Sequence, residues 1–245
     1  MYIDFTGDRL EIVDKTTAEE RKVEMFVAIL PCSHYTYCEA VRTQKKEDLI
    51  RACEDAIRFY GGAPCAIVPN NLKSVVTRSD RNEPVINPDF ESFAEHYGCA
   101  VVPARVRHLR DKALVENAVK LMYRSAYVYL EGMVFHALEW LNGAILRSLE
   151  KFNARNLPRR RESRSQLFDS VERGCLRPLS ANRYQMRQRA VATVQRNSYV
   201  TLNKRHYSVP VQYVGKRVDM VFDTDTIDIF HGFTHVATHH RNDAP

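Results

Sequence analysis

The sequence lacks the features that mark several large classes of protein. No apolar run approaches the length of a membrane span, and the first residues contain neither a basic leader nor a long apolar segment. The six cysteines include no C-x-x-C pair, which argues against both a disulfide framework and a zinc site. Repeats and low-complexity tracts are also absent. These absences favour a globular protein of the cytoplasm with reduced cysteines and no membrane partner.

The chain has an excess of positive charge. Lys and Arg together number 36 against 30 Asp and Glu, which gives a formal net charge of +6 over 245 residues. Between residues 155 and 189 the imbalance is greater, with ten arginines and three acidic residues. Such a segment is typical of phosphate-backbone binding, although a solvated linker would have the same composition. The composition therefore favours a polyanionic partner, nucleic acid first.

The first third of the chain alternates between strand and helix patterns. Residues 1–8, 10–13, 23–30 and 34–42 are predicted to form an antiparallel meander. Helical spacing over residues 46–60 then predicts an amphipathic helix.

The predicted helix has signals at both ends. Thr43 is its candidate N-cap and Gly61 ends it. A strand at 65–68 follows, and a strand, a crossover helix and another strand generally pair in parallel. Asn70 would then lie at a carboxyl strand end, where ligands bind in open α/β sheets.

Two longer helices and a β-rich end complete the chain. Asp111 is the predicted N-cap of a helix of about twenty residues, and residues 134–152 form the second. On the first helix, charged side chains recur every four positions, which equally fits a solvated ladder of i,i+4 pairs. They are Lys112, Glu116, Lys120 and Arg124. Short strand patterns from Ser198 onward predict a small barrel.

Asp4 lies in the middle of the opening strand, where aspartate is disfavoured and a buried unpaired charge is costly. Two explanations stay open at this point. Asp4 either faces water from an edge strand or holds a divalent metal ion.

Three motifs occur in order with compatible topology. They are residues 2–8 (YIDFTGD), 67–73 (IVPNNLK) and 111–119 (DKALVENAV). Together they resemble the retroviral-integrase-type catalytic domain of DDE transposases, most closely the IstA-type transposase of the insertion sequence twenty-one family. The resemblance extends through residues 206–210 (HYSVP) and 229–232 (IFHG), so it covers nearly the whole chain.

The resemblance implies an α/β fold with an RNase H-like mixed five-stranded sheet and flanking helices, followed by a small C-terminal β-barrel. The implied domains are a catalytic domain at 1–152, an Arg-rich helical linker at 153–196 and the barrel at 197–245. Members of the family carry helix-turn-helix domains before the catalytic strand, so the sequence is expected to be a fragment.

The resemblance also implies a carboxylate triad that binds two Mg²⁺ ions, with Mn²⁺ as a substitute. Asp4, position 70 and Glu116 would be the ligands in 3′-end nicking and strand transfer. The family has an aspartate where this chain has Asn70, so we expect the chain to be inactive or nearly so while keeping its fold and DNA affinity.

The implied partners are DNA, at both element ends and target, an AAA+ helper ATPase, and further copies of the chain on paired ends in a bacterial cytoplasm. The predicted DNA contacts are Lys120 and Arg124, then Lys112, Arg107 and Arg110, and Arg159, Arg160 and Arg161 in the Arg-rich segment. Three alternatives stay open: an integrase or nuclease of the same fold, a non-catalytic DNA-binding or assembly protein, and a structural α/β protein whose acids form salt bridges.

Overall fold

The computed structural model divides the chain into two compact units, Met1–Tyr184 and Gln185–Pro245. It describes residues 1–7, 9–70, 74–78, 85–103, 109–158, 160–223 and 226–241, without the side chains of 109–118. Within these residues, every helix is too short or too polar to cross a membrane.

The first unit is a mixed sheet with helices on both faces. Its elements, in chain order, are β1 (Tyr2–Phe5), β2 (Leu10–Val13), β3 (Glu20–Ile29), β4 (Thr36–Val41), α1 (Lys46–Tyr60), β5 (Ala66–Pro69), β6 (Val76–Arg78), β7 (Val85–Ile86), α2 (Pro88–His96), β8 (Ala100–Val101), α3 (Leu109–Leu130), α4 (Leu138–Ala154) and α5 (Arg164–Leu167). Strand β3 pairs antiparallel with β1, β2 and β4. Strands β1, β5 and β8 pair in parallel, and β6 pairs antiparallel with β7 in a separate two-stranded sheet.

The predicted fold class is confirmed, but the sheet has six strands rather than five. The extra strand arises because the opening segment pairs with β3 in two successive parts. Strand β1 lies opposite Phe26–Ile29, and the Thr6 amide still donates to Met25 O at 2.9 Å. Pairing resumes with Leu10 opposite Val23. The segments predicted at 1–8 and 10–13 therefore both pair with β3 and count as two strands of the sheet.

Both faces of β3 are covered, which explains why residues 23–29 are all buried and, apart from Glu24, all apolar. Met25, Val27 and Ile29 pack in a core with residues of α3 and α4. On the other face, the Tyr60 hydroxyl at the end of α1 donates to Ala28 O at 2.8 Å. The sheet is thus the middle of three layers.

The predicted bounds of α1 agree with the structure, but its predicted N-cap is wrong. Lys45 is the cap residue and makes no side-chain cap bond. Thr43 instead donates its amide and hydroxyl to the Asp48 carboxylate, at 2.9 and 2.7 Å. The helix ends as predicted at Gly61, whose φ of 75° is readily adopted by glycine.

The beginning of the Arg-rich segment belongs to the first unit. Helix α5 is followed by a π-helical turn, Phe168–Glu172, and a 3₁₀ turn, Arg173–Cys175. Glu172 accepts hydrogen bonds from the backbone amides of Cys32 and Ser33, at 2.9 and 3.0 Å. Phe168 stacks on Tyr35 with ring centroids 4.5 Å apart. These contacts fix the segment on the turn between β3 and β4.

The second unit contains two antiparallel sheets over one apolar core. Its strands are β9 (Gln188–Thr193), β10 (Tyr199–Leu202), β11 (Arg205–Ser208), β12 (Arg217–Phe222), β13 (Thr226–His231) and β14 (Thr234–His240). The order β14-β13-β12-β9 forms one sheet, and β10 with β11 forms the other. The predicted barrel is not closed among the described residues, because β10 and β11 pair with each other rather than joining the edges of the larger sheet. Strand β9 lies within the predicted linker.

Candidate active site

Asp4 is positioned by the alternation of β1. Ile3 and Phe5 are buried on one face, and Tyr2, on the face that Asp4 shares, packs against the core built with α3 and α4. Strand β1 lies between β3 and β5, so the explanation of Asp4 as an edge-strand residue is wrong. Asp4 is half-buried, and it lies on an interior strand, on the face that Tyr2 packs against the core of α3 and α4.

Asn70 is brought to Asp4 by the parallel pairing of β5 with β1. Ile3 lies opposite Pro69, and the Asn70 amide donates to Ile3 O at 3.0 Å. Asn70 therefore stands beside Asp4 at the carboxyl end of β5. Its side-chain Nδ2 donates to Asp4 Oδ2 at 2.8 Å, while the Phe5 amide donates to Asp4 Oδ1 at 2.9 Å.

The oxygen atoms at this site fit a hard divalent cation. Asn70 Oδ1 is buried and has no hydrogen-bond partner among the described residues. Together with the Asp4 carboxylate it offers amide and carboxylate oxygens, which Mg²⁺ prefers. The described side chains contain no group of three His, Cys, Asp or Glu that could hold a metal. The described part of the site thus carries one carboxylate and one neutral ligand.

Glu116 belongs to α3, but the structure describes only its backbone and not its side chain. Its position precedes Val119 by three residues, about one helical turn. Val119 is 7% exposed and packs in the core shared with the sheet. The helix begins at Leu109, two residues before the predicted cap Asp111. The proximity of Glu116 to Asp4 stays a prediction.

The predicted DNA contacts are only partly described. Lys120 and Arg124 are exposed on α3, about one helical turn apart. Arg160 and Arg161, which follow α4, are exposed as well. Arg107 and Arg159 lie outside the described residues, as do the side chains of Arg110 and Lys112.

Two arginines that the motifs did not single out, Arg155 and Arg164, line a cleft beside α3 together with Arg124. The only signal for them in the sequence is the local excess of arginine, which does not tell one arginine from another.

Two family models match the chain. The integrase core domain matches residues 2–108, and the Mu transposase C-terminal domain matches residues 179–245. The first match includes both Asp4 and Asn70, and the second covers the strands of the second unit.

Curated relatives extend the match over most of the chain. "Putative transposase y4bL/y4kJ/y4tB" of Sinorhizobium fredii is 34% identical over 98% of this chain and 47% of its own length. "Transposase for insertion sequence element IS21" of Pseudomonas aeruginosa is 26% identical over 88% of this chain and 55% of its own length. The chain thus spans about half the length of these relatives.

A solved structure shares the fold at low identity. A chain of the simian T-cell lymphotropic virus intasome, solved in complex with PP2A regulatory subunit B56 gamma, aligns with a TM-score of 0.51 and 14% identity, over 95% of this chain and 74% of its own. The retroviral-integrase-like fold implied by the resemblance is confirmed. The chain thus contains an integrase core domain and a Mu transposase C-terminal domain, and over most of its length it is similar to transposases, including one of an insertion sequence element.

Proposed function

We propose that the chain is the catalytic core and C-terminal domain of a DNA transposase that nicks 3′ ends and joins them to target DNA by two-metal phosphoryl transfer. We also propose that Asn70 leaves this particular chain inactive or nearly so. The observation that carries the proposal is the hydrogen bond between Asn70 and Asp4, 2.8 Å long, between side chains 66 residues apart in sequence. It supports a shared site for the first two triad positions.

Asp4, Asn70 and Glu116 are the residues that would hold the metal ions. When bound, two Mg²⁺ ions would activate the attacking oxygen and stabilise the leaving oxygen. Asp4 contributes a carboxylate that the Phe5 amide orients through Oδ1. Asn70 contributes a neutral oxygen in place of the family's aspartate. The site therefore has one negative charge fewer than the family pattern, which weakens its hold on a second divalent ion.

The basic side chains would bind the phosphate backbone of the DNA. Lys120 and Arg124 follow Glu116 by one and two turns of α3, so they would contact phosphates near the reacting end. Lys112, Arg107 and Arg110, together with Arg159, Arg160 and Arg161, would extend this contact along the duplex. The proposed partners are element ends and target DNA, a second copy of the chain on the paired end, and an AAA+ helper ATPase. The proposed location is a bacterial cytoplasm, on DNA.

One competing function has an observation in its favour. A non-catalytic DNA-binding or assembly protein on the same fold would need no metal, and the bond from Asn70 to Asp4 holds the two positions together without one. Asp4 and Glu116 argue against it, because such a protein has no chemical need for carboxylates at both triad positions. An integrase or nuclease of the same fold would be separated from a transposase by its cleavage and joining products.

Mn²⁺ binding followed by electron paramagnetic resonance tests the proposal on three proteins. These are the parent, Asn70→Asp, and Asn70→Asp combined with Glu116→Gln. We expect tighter or additional Mn²⁺ binding in Asn70→Asp, lost again in the double variant, and DNA joining only in Asn70→Asp. Identical weak binding in all three, both alone and with branched DNA present, would rule out this triad.

A further inference from the structure

A cleft of about 380 Å³ lies between the second half of α3 and the end of α4. We call it the arginine cleft. Its walls are Leu121, Arg124, Ser125, Val128, Phe152, Arg155, Asn156, Pro158 and Arg164. Three of these nine side chains are guanidinium groups and none is acidic. The cleft is therefore a concave surface with apolar walls and a strong positive charge.

Arg164 is the fixed member of this set. It is 4% exposed, its Cζ lies 4.0 Å from the centre of the Phe152 ring, and its Nη1 donates to Phe152 O and Arg155 O at 3.2 and 3.3 Å. These two carbonyls lie at the end of α4, where the helix dipole is negative, so they stabilise the cation in part. The buried Nε has no partner among the described residues.

The cleft holds charge that no described acidic group balances. Neither Arg124, Arg155 nor Arg164 forms an ion pair with a described Asp or Glu, whereas arginines elsewhere in the first unit do, such as Arg58 with Glu54 and Arg173 with Asp169. Burial, reinforced by the Arg155 charge, lowers the pKa of the Arg164 guanidinium. A buried cation next to further cations is costly unless an anion approaches.

We propose that the arginine cleft binds a backbone phosphate of DNA, in a position separate from the Asp4 and Asn70 site. The inference rests on the proposed function, since it takes the polyanion to be the DNA on which that site would act. Arg124 and Arg155, both exposed, supply guanidinium forks that can bind phosphate oxygens in a bidentate manner, while the buried Arg164 adds positive charge.

The neutral groups of the cleft favour a phosphodiester over an acidic peptide. The Ser125 hydroxyl and the Asn156 amide are the kinds of neutral donor that commonly accompany arginine at DNA phosphates. Leu121, Val128 and Pro158 offer an apolar surface for the sugar next to that phosphate. Arg160 and Arg161, which are exposed a few residues further along the chain, would extend the positively charged surface along a duplex.

Duplex DNA binding, followed by fluorescence anisotropy between about 50 and 200 mM salt, tests the inference. The key variant is Arg155→Gln, because Arg155 belongs to the cleft but not to the contacts of the proposed function. Arg147→Gln is its matched control, an exposed arginine of α4 that does not line the cleft. Arg164 is left unchanged because it also holds the end of α4.

We expect Arg155→Gln to weaken DNA binding about tenfold and to reduce the slope of log affinity against log salt by about 0.9, the value for one lost phosphate contact. Arg147→Gln should change neither by a comparable amount. Equal losses in the two variants would overturn the inference while leaving the proposed function intact. A poly-glutamate peptide that loses affinity for Arg155→Gln while DNA affinity stays would also overturn it, in favour of a protein partner. Absence of DNA binding by the parent would overturn both proposals.

Discussion

Asn70 donates a hydrogen bond from Nδ2 to Asp4 Oδ2 across two neighbouring parallel strands, with the two atoms 2.8 Å apart. The amide supplies the proton that joins the two side chains. An aspartate at position 70 has no such proton when ionised, and would place a second negative charge against the first. The residue at position 70 therefore decides whether this pair is held by a hydrogen bond or requires a cation.

Asn70→Asp should make the stability of the protein depend on a divalent metal. In EDTA we expect the free energy of unfolding to fall by about 1 to 3 kcal/mol, because a hydrogen bond to a charged group is replaced by repulsion. Added Mg²⁺ should recover this loss in the variant and change the parent little. Urea unfolding with and without Mg²⁺ measures both effects.

The control for this experiment is Asn142→Asp. Asn142 accepts from Ala40 N at 2.7 Å and donates to Ala40 O at 3.0 Å, so its change also breaks an amide hydrogen bond, but in the packing of α4 on β4. That variant should be destabilised without any recovery by Mg²⁺. If Mg²⁺ leaves Asn70→Asp unstable as well, position 70 does not contribute to a metal site.

Lys120→Glu should weaken DNA binding and flatten its salt dependence. Lys120 is exposed on α3, and loss of one lysine contact to phosphate lowers the salt slope by about 1. Lys22→Glu, at an exposed position of β3, makes the same change of charge away from α3. Anisotropy titrations of both variants at several salt concentrations would show the difference. Curves that coincide for the two would remove Lys120 from the DNA contacts.

Glu39 should make stability fall as the pH rises towards neutrality. Burial, and next the Asp55 charge, raise the pKa of the Glu39 carboxyl from 4.5 to about 7. Between these two values the folded chain keeps a proton that the unfolded chain has released. The free energy of unfolding therefore decreases across this window, by an upper limit of about 3 kcal/mol.

Glu39→Gln replaces this ionisable carboxyl with a neutral amide and so tests its contribution to the pH dependence of stability. We expect the variant to match the parent near pH 5 and to be more stable near pH 8, by about 1 to 3 kcal/mol. Glu11→Gln, at an exposed position of β2, is the control and should leave the pH profile unchanged. Denaturant midpoints measured across the pH range would decide, and parallel profiles for parent and Glu39→Gln would contradict the prediction.

The sequence was sufficient to predict the elements that position the site. The helical spacing of α1 predicted Lys46–Tyr60, and the rule for strand, helix and strand predicted that β5 pairs in parallel, although its partner is β1 rather than β4, the strand before the helix. Both predictions depend on local periodicity or on chain topology, which a sequence carries directly.

Contacts between distant segments were not predictable in this way. The hydrogen bonds from Cys32 and Ser33 to Glu172 join residues about 140 positions apart, and neither segment has a sequence pattern that predicts the other as its partner. The direction of the Asn70 amide towards Asp4 depends on side-chain packing. Strand β9 was missed because it begins with Gln188 and Arg189, which resemble the residues of the preceding linker, while only its alternation of half-buried and exposed residues marks a strand.

We expect β9 to be needed for the second unit to fold. It pairs with β12 from Arg217 opposite Thr193 to Phe222 opposite Gln188, and Val194, just after it, is 2% exposed in the core of that unit. Burying a valine contributes about 2 kcal/mol, a large share of the stability of so small a domain.

We expect residues 185–245 to fold alone and residues 197–245 to stay unfolded, as judged by dispersed or collapsed amide signals in NMR spectra. In the full chain, Val194→Ala should lower the melting temperature of this unit, whereas Val191→Ala, at a half-exposed position of β9, should change it little. A folded 197–245 fragment would instead place the boundary after β9, because the remaining strands would then bury enough apolar surface by themselves.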